Sequence, residues 1–403
     1  MISFQEACSW VLAETRPVEE GVWVRVEEAL GRVLSASVLA SADVPNHDNS
    51  AMDGYAVCNQ SFSDAGSEVT LTVVADLPAG DRMTRRLGVG EAVRIMTGAP
   101  IPPGCDGVVM QELVQRDGDR VVVPVAGRKI GENIRPAGED IPAGSVVLNR
   151  GCRLRPAHLG LLTSLGCEQV EVYRRPVVAL LSTGNEVVRA GTPLQPGQVY
   201  DSNRSALRAA LMALGVEVLD LGLVRDNREA IATALARGGA EADAVISTGG
   251  VSVGDYDLVK EVLLDQGAIH FWQVAMKPGK PQAYGQLGRA RFFGLPGNPV
   301  SCLTVFLLIV RPALLRLMGA ADEPPKRMRA TFRGALHKKH SRMDFIRGVA
   351  HFDENGVWVE TTGHQGSGIL TSLSRANVWI VLPEAPARLV DGDDVTIQWI
   401  EYE

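Results

Sequence analysis

The spacing of apolar positions changes character several times along the chain. Phe4, Cys8, Val11 and Leu12 fall on one side of a helix over residues 3–14. Residues 26–40 predict a helix followed by an extended piece. Between Tyr55 and Val125 the pattern shortens to β runs at 69–74, 92–96, 108–110 and 121–123. Turn-forming stretches, among them Pro78-Ala79-Gly80 and Asp117-Gly118, separate these runs, which is the signature of a small β domain. Residues 141–174 carry a short helix around 156–165.

From Pro176 the pattern alternates between buried strand and amphipathic helix. Strands are expected at 177–181, 216–221, 244–246, 269–275 and 290–294. Helices follow Asp201-Ser202-Asn203, with Leu207, Leu211 and Leu214 aligned and Gly215 as the stop, and Asp226-Asn227-Arg228-Glu229, which reads as a capping box. Asn298 and Pro299 open a long helix to 318 with Leu303, Phe306, Leu307, Val310 and Leu314 on its buried face. Strands alternating with helices imply a mostly parallel sheet with right-handed crossovers. After a linker at 321–326 the pattern is β again, with Asn355-Gly356 as a hairpin turn and a last strand at 395–400. The expected architecture is α/β and β multidomain. It has a split N-terminal domain (1–44 and 139–174), an inserted β domain (45–138), a central mostly parallel α/β domain (175–322) and a C-terminal small β-barrel (323–403).

Length fits this division, because 403 residues exceed one ordinary domain. The net charge of −7 argues against a nucleic-acid-binding surface, so anion binding would need locally gathered Lys and Arg. Six scattered cysteines form no CxxC pair, as expected of reduced, mostly buried thiols in a cytoplasmic protein. The N-terminus lacks a signal-peptide pattern, and the apolar run at 302–310 is too short to span a membrane.

The candidate chemistry sits after the strands of the α/β domain. Ser182-Thr183-Gly184-Asn185-Glu186 follows one strand and Ser247-Thr248-Gly249-Gly250 follows another, so Ser-Thr-Gly recurs at two strand ends. In an open α/β sheet such loops meet at the carboxyl edge, where bare N–H groups suit oxyanions. Lys277-Pro278-Gly279-Lys280-Pro281 supplies positive charge on a rigid turn. Glu186, Asp226 and Asp257 offer oxygen ligands for a hard cation such as magnesium, with Asp255 a further acid at the helix start. Asp226 has a second reading, as the cap of its helix. The polar loop at 43–55 reads by composition as a well-capped turn. No Walker sequence, Gly-x-Ser-x-Gly elbow or HExxH is present.

Nine motifs in order resemble the MoeA family of molybdopterin molybdenumtransferases, related to the C-terminal domain of gephyrin. They are NSAMDGYAV (49–57), RIMTGAPIPPGCDGVVMQE (94–112), GENIRPAGEDI (131–141), STGNE (182–186), YDSN (200–203), STGGVSVGDYD (247–257), KPGKP (277–281), GLPGNPVS (294–301) and TTGHQGSG (361–368). The resemblance implies a molybdopterin-binding-like central domain and insertion of molybdenum into adenylylated molybdopterin, with molybdate as the metal source, Mg2+ present and AMP released. By motif, Glu186, Asp226 and Asp257 would serve the magnesium. Ser182, Thr183, Thr248, Gly249, Gly250 and Ser252 would line the pterin–phosphate side. Lys277, Lys280, Pro296, Pro299 and Ser367 would shape the molybdate and dithiolene end. The family also implies a homodimer with a composite active site, in which Asp53, Thr97 and Asp140 reach across from the second chain, and transient contact with other molybdenum-cofactor enzymes. Asn185 departs from the pattern at a position where relatives carry an acid, which would shift magnesium binding toward Glu186.

Two other readings stand beside this one. A molybdopterin adenylyltransferase shares the Ser-Thr-Gly-Gly loop and the Pro-Gly-Asn-Pro turn, but as a lone domain. A cofactor-binding scaffold would bind without turnover. The motifs outside the α/β domain disfavour the first, and the lack of an extended low-complexity linker disfavours the second.

Overall fold

The computed structural model describes residues 1–63, 66–249, 258–354 and 356–402, and the chain divides into two compact units. One contains Met1–Ser35, Gly151–Arg155 and Gln169–Glu403; the other contains Ala36–Arg150 and Pro156–Glu168. This is a coarser division than the four domains expected from sequence.

In the first unit, alternate residues of each central strand enter opposite layers. The strands are β1 (Val177–Thr183), β2 (Glu217–Val224), β3 (Ala244–Thr248), β4 (Gly267–Gln273), β5 (Pro281–Leu287) and β6 (Ala290–Leu295), and they lie side by side in the order β2-β1-β3-β6-β5-β4. Val178, Leu180, Ala244, Ile246, Phe293 and Leu295 pack to one side, against Leu207, Leu211 and Leu214 of helix α1 (Ser202–Leu214). Ala179, Leu181, Val245 and Phe292 pack to the other, against Ile231 and Leu235 of α2 (Arg228–Glu241) and Val259, Val262 and Leu263 of α3 (Leu258–Gln266). Burial on both faces explains why these strands read as continuous apolar runs.

β1 pairs parallel with β2 and β3, and β3 with β6, whereas β5 runs antiparallel to both β6 and β4. The sheet is therefore parallel in its first four strands and closes with an antiparallel edge. β5 was not legible as a strand. Its sequence PQAYGQL has Pro and Gly and no β-branched residue, and it is held by its two neighbours rather than by propensity.

Helix α4 (Pro299–Leu317) is the pivot of this unit. Its first part, Pro299–Val305, passes through a wide turn at Phe306–Val310 into Arg311–Leu317. Pro312 has no N–H to give to the carbonyl of Leu308, which instead accepts the Cys8 thiol at 4.0 Å. Residues from Val300 to Val310 are buried without interruption. The sheet and α1 cover one side; Phe4 and Val11 of the helix Phe4–Glu14, with Phe345 and Trp379, complete the same apolar cluster. By length and composition α4 could span a bilayer, yet 78% of its apolar window is buried inside the protein. It is a core helix.

The C-terminal strands Met343–Asp353, Gly356–Thr361, Arg327–Arg333, Asp394–Trp399 and Val378–Leu382 pair in a ring, since the first also pairs with the last. This is the small closed barrel expected. Phe332, Ile346, Val359, Ile380 and Ile397 fill its interior. Asn355, expected in the hairpin turn, lies outside the described residues.

The second unit is built on a six-stranded sheet. Glu68–Leu77, Glu91–Ile95, Gly107–Met110 and Arg120–Pro124 match the four expected β runs within a few residues; Gly54–Val57 and the edge Gln115–Asp117 are further strands that were not expected. The helix expected in 26–40 is a single short turn, Val26–Glu28, followed by the two-residue strand Val38–Leu39. Among the described residues the six cysteines form no disulfide, but only Cys302 is fully buried and the others are half-buried. Burial still pushes the Cys8 and Cys105 thiols up to about 12, so neither is a ready nucleophile.

Truncating Phe306, which has no exposed surface, should cost about 3–5 kcal/mol through lost burial and the cavity left behind. Urea unfolding of Phe306→Ala checks this. A shift under about 1 kcal/mol would mean that the site collapses freely and that α4 is not tightly packed.

Candidate active site

Strand register places the candidate loops on one edge of the sheet. Thr183 lies opposite Val224, Ser182 opposite Thr248, and Thr248 opposite Leu295, so β1, β2, β3 and β6 end together. Gln273 opposes Pro281 and Ala283 opposes Gly294, so the turn from β4 to β5, which carries both lysines, opens on that same edge. The order β2-β1-β3 puts the switch in winding direction between β1 and β3, the place where open α/β sheets bind ligands. The parts do not meet at a point. Asp226 follows β2 and the lysine turn precedes β5, four strand spacings away, or roughly 19 Å. The edge suits an extended ligand.

At the centre three loops touch. Gly249 has φ +86°, and a Cβ there would lie 2.9 Å from the carbonyl oxygen of Thr183. Its N–H donates to the carbonyl of Leu295 at 3.2 Å. Only glycine gives both this backbone angle and this approach. Gly297, beyond β6, also stands against Gly249, and its carbonyl accepts from Asn203 Nδ2 at 2.8 Å. Ser182 is buried, and its hydroxyl donates to Asp201 at 2.6 Å, which commits it to supporting the loop. Asp201 also caps α1 by accepting from the Arg204 N–H, and takes Arg204 Nε at 3.0 Å. Thr183 and Thr248 are buried beside it. Gly250, Ser252, Asp255 and Asp257 lie outside the described residues.

The acids separate from their structural roles. Asn227, not Asp226, caps α2, its side chain accepting from the Ala230 N–H at 2.8 Å. Asp226 is thereby released, and among the described residues its carboxylate has no hydrogen-bond or ion-pair partner. The exposed Glu186 folds its carboxylate back over Gly184. Among the described residues no three acids, histidines or cysteines cluster as a metal site. Two uncommitted carboxylates at the ends of adjacent strands do fit magnesium, which takes one or two protein carboxylates and completes its shell with water and phosphate.

The lysine turn is tied to both the core and the barrel. Gly279 has φ +106°, and a Cβ there would sit 2.5 Å from Val305 Cγ2 on α4. The buried Gln282 donates to the Gly279 carbonyl and accepts from the Tyr284 hydroxyl. Met276–Lys277 pairs parallel with Met343 and Asp344 of the barrel. Lys277 is half-buried and Lys280 exposed. At the start of α4, Pro296 is buried, Pro299 is half-buried, and the Val300 N–H donates to the carbonyl of Ser367 at 3.1 Å. The structure thus joins Pro299, Ser367 and the lysine turn through one helix. Asn298, expected to cap α4, makes no side-chain cap and is exposed.

In the second unit Asp53 accepts from both the N–H and the hydroxyl of Thr97, each at 2.7 Å. These bonds hold the Asp53 carboxyl below its usual range. Asp140 is exposed on the turn before Ile141, and its own N–H donates to the carbonyl of Val44.

Three residues beside the site were missed from sequence. Arg347 is 1% exposed and donates to Ser372 and to the carbonyls of His364 and Gly366, which shapes the loop carrying Ser367. Burial lowers its pKa to about 10. Asp344 is 2% exposed and lies 3.5 Å from His340 Nε2. Lys338 is buried too, donating to the carbonyls of Pro383 and Ala385. An Arg, Asp or Lys inside an apolar strand is a visible signal, since charged residues are rarely buried without a purpose.

Burial pushes Asp344 from its usual 3.8 to about 6, against the opposing pull of Lys277, Lys338 and Arg342. The folded chain therefore keeps this proton to higher pH than the unfolded chain. Stability should fall as pH rises from about 4 to about 6, by on the order of 3 kcal/mol from this group, and then level off. Asp344→Asn should flatten that slope in urea midpoints taken from pH 4 to 7.5. An unchanged slope would assign it to other groups. Gly279→Ala should strain the turn and push against Val305, losing stability by about 1–3 kcal/mol; a neutral result in thermal unfolding would deny the close contact with α4.

Three family profiles cover the chain in order: the MoeA N-terminal region (domain I and II) over residues 2–166, a probable molybdopterin binding domain over 179–316, and the MoeA C-terminal region (domain IV) over 329–400. A Haemophilus influenzae protein named molybdopterin molybdenumtransferase is 40% identical over 400 residues, covering 99% of this chain and 98% of its own. A Nostoc protein of the same name is 39% identical over 377 residues, covering 92% and 86%. The solved structure of a molybdopterin biosynthesis MoeA protein from Pyrococcus horikoshii superposes with a TM-score of 0.87 at 29% identity, covering 99% of this chain and 100% of that one. With every region matched in order and identity at this level over its full length, the chain belongs to the MoeA family.

Proposed function

We propose that this protein is a molybdopterin molybdenumtransferase that inserts molybdenum from molybdate into adenylylated molybdopterin and releases AMP. The observation that carries this reading is the 40% identity to a protein of that name across 99% of the chain. The sheet edge supports it physically. An edge with carboxylates at one end and lysines roughly 19 Å away suits a long ligand with a phosphoric anhydride at one end and a metal-accepting dithiolene at the other.

In this reading the glycine loop at Thr248 and Gly249, with Gly250 and Ser252, holds the pterin phosphate side through backbone N–H groups. Lys277 and Lys280, with Pro296, Pro299 and Ser367, frame the molybdate, an oxyanion that needs donors beside the sulfurs. Glu186 and Asp226, with Asp257, would hold Mg2+. Its contribution when bound is to neutralise charge on the anhydride phosphates. The chain's own part is positioning and electrostatics, with no protein nucleophile required. A homodimer completes the site, Asp53, Thr97 and Asp140 coming from the second copy. The Thr97 bonds that keep Asp53 ionised suit it to a cationic or hydrogen-bond-donating part of the ligand.

The test is incubation with adenylylated molybdopterin, molybdate and magnesium, following AMP and active cofactor. The chain should release AMP without ATP. A requirement for ATP would indicate an adenylyltransferase, and binding without AMP release a carrier. Asp226→Asn and Lys277→Ala should each lower the rate by about 10²-fold or more, Asp226→Asn with a raised magnesium requirement and Lys277→Ala with a raised one for molybdate. Unchanged kinetics in either variant would remove that residue from the site.

A further inference from the structure

We propose that the opposite, amino-terminal edge of the central sheet is a second anion site, which takes a compact phosphate-bearing metabolite. A cavity of about 330 Å³ opens there, lined among others by Arg16, Arg174, Asp243, Gln286, Arg289 and Arg291. Asp243 immediately precedes β3, and its carboxylate takes the Val177 N–H at the start of β1 at 2.8 Å. Thr183 and the catalytic loops lie at the far end of that seven-residue strand, roughly 20 Å away. The cavity is therefore separate from the carboxyl-edge site.

Among the described residues the walls carry four guanidinium groups and one carboxylate. In a chain of net charge −7 this is a local reversal of sign. Structural duties account for only part of it. Arg174 is spent: it forms a two-bond fork with Asp243, 2.7 Å on each arm, and gives Nε to Glu20 at 3.1 Å. Arg289 gives Nε and one terminal nitrogen to the carbonyls of Ala242 and Glu241, which closes the end of α2 and leaves its other terminal nitrogen uncommitted among the described residues. Arg291 forms an ion pair with Glu14 at 3.6 Å, too long for a hydrogen bond, so its guanidinium N–H donors stay unused among the described residues although only 24% of its side chain is exposed. Arg16 has no hydrogen bond or ion pair among the described residues. Glu14 and Glu20 stand at the rim, 51% and 67% exposed, where water screens them.

Three arginines with spare donors thus face a cavity whose only wall carboxylate among the described residues, Asp243, is already committed. Guanidinium forks match the paired oxygens of phosphate, and several of them favour a di- or trianion over a single carboxylate. The volume is at the small end for ligand sites, which excludes a large cofactor and disfavours an extended polymer.

Calorimetric titration of the full-length protein at low salt with orthophosphate, pyrophosphate and a nucleoside monophosphate tests this. Lys277→Ala/Lys280→Ala serves as the background, so that anion binding at the carboxyl edge does not contribute. In that background we expect one equivalent of pyrophosphate to bind, with affinity falling steeply as salt is raised. Adding Arg16→Glu and Arg291→Gln should weaken it by about tenfold or more, with the unfolding midpoint preserved. Arg16→Lys alone should retain part of the affinity. Comparison of the three probes shows whether free phosphate or a nucleotide-borne phosphate is preferred; weak binding by all three overturns the proposal. So does pyrophosphate binding that is indifferent to the arginine substitutions, or tight binding of polyglutamate or single-stranded DNA in place of the small anions.

Discussion

The structure of the larger unit depends on burying the apolar first part of one helix on every side. From Val300 to Val310 helix α4 has no stripe that faces water, so the chain has to enclose it. The sheet and α1 cover one flank, and the helix Phe4–Glu14 and the barrel residues Phe345 and Trp379 cover the rest. That enclosure places functional pieces. The Gly297 loop leads into the helix, the Val300 N–H holds the carbonyl of Ser367, and Val305 leaves room at Gly279 for nothing larger than hydrogen. Segments separated by some ninety residues thus reach one sheet edge through the first two turns of a single helix.

Charge is arranged along that edge rather than concentrated. Asp226 and Glu186 lie at the β2–β1 end, and Lys277 and Lys280 at the β5–β4 end, with backbone and hydroxyl groups between. Because the protein as a whole is acidic, this separation keeps the lysines from being neutralised by the carboxylates and leaves both free for a ligand that carries a cation at one end and an oxyanion at the other. The price is paid near the lysine turn, where Asp344 of the barrel and the neighbouring Lys338 and His340 have their protonation displaced by burial.

Much of this was legible beforehand. Doubly buried strands show as unbroken apolar runs, and Gly215 and the Asp226–Glu229 stretch mark helix ends by local chemistry, the latter to within one residue of the true cap Asn227, so the α/β core followed from periodicity. The barrel followed from short runs and turn signals. What escaped were elements set by long-range partners. β5 exists because β4 and β6 flank it, and PQAYGQL alone carries no strand signal. The roles of Asp201 and Arg347 depend on side chains 19 and 25 residues away, in contacts that no local window encodes. The repeated Ser-Thr-Gly was readable as a loop pair, but its two serines and two threonines are buried, while Gly184 and Gly249 are half-buried.

The central claim is that α4 aligns the lysine turn and the Ser367 loop with the sheet edge. Hydrogen–deuterium exchange on Val305→Ala tests it most directly. Removing the Val305 methyl that faces Gly279, with its geminal partner, should raise exchange together in peptides covering 274–282 and 361–369, while the far side of the sheet around 177–181 stays protected. If exchange rises only within the helix, or if the two loops exchange rapidly in the unsubstituted protein and do not respond, the helix does not position them and the account is wrong.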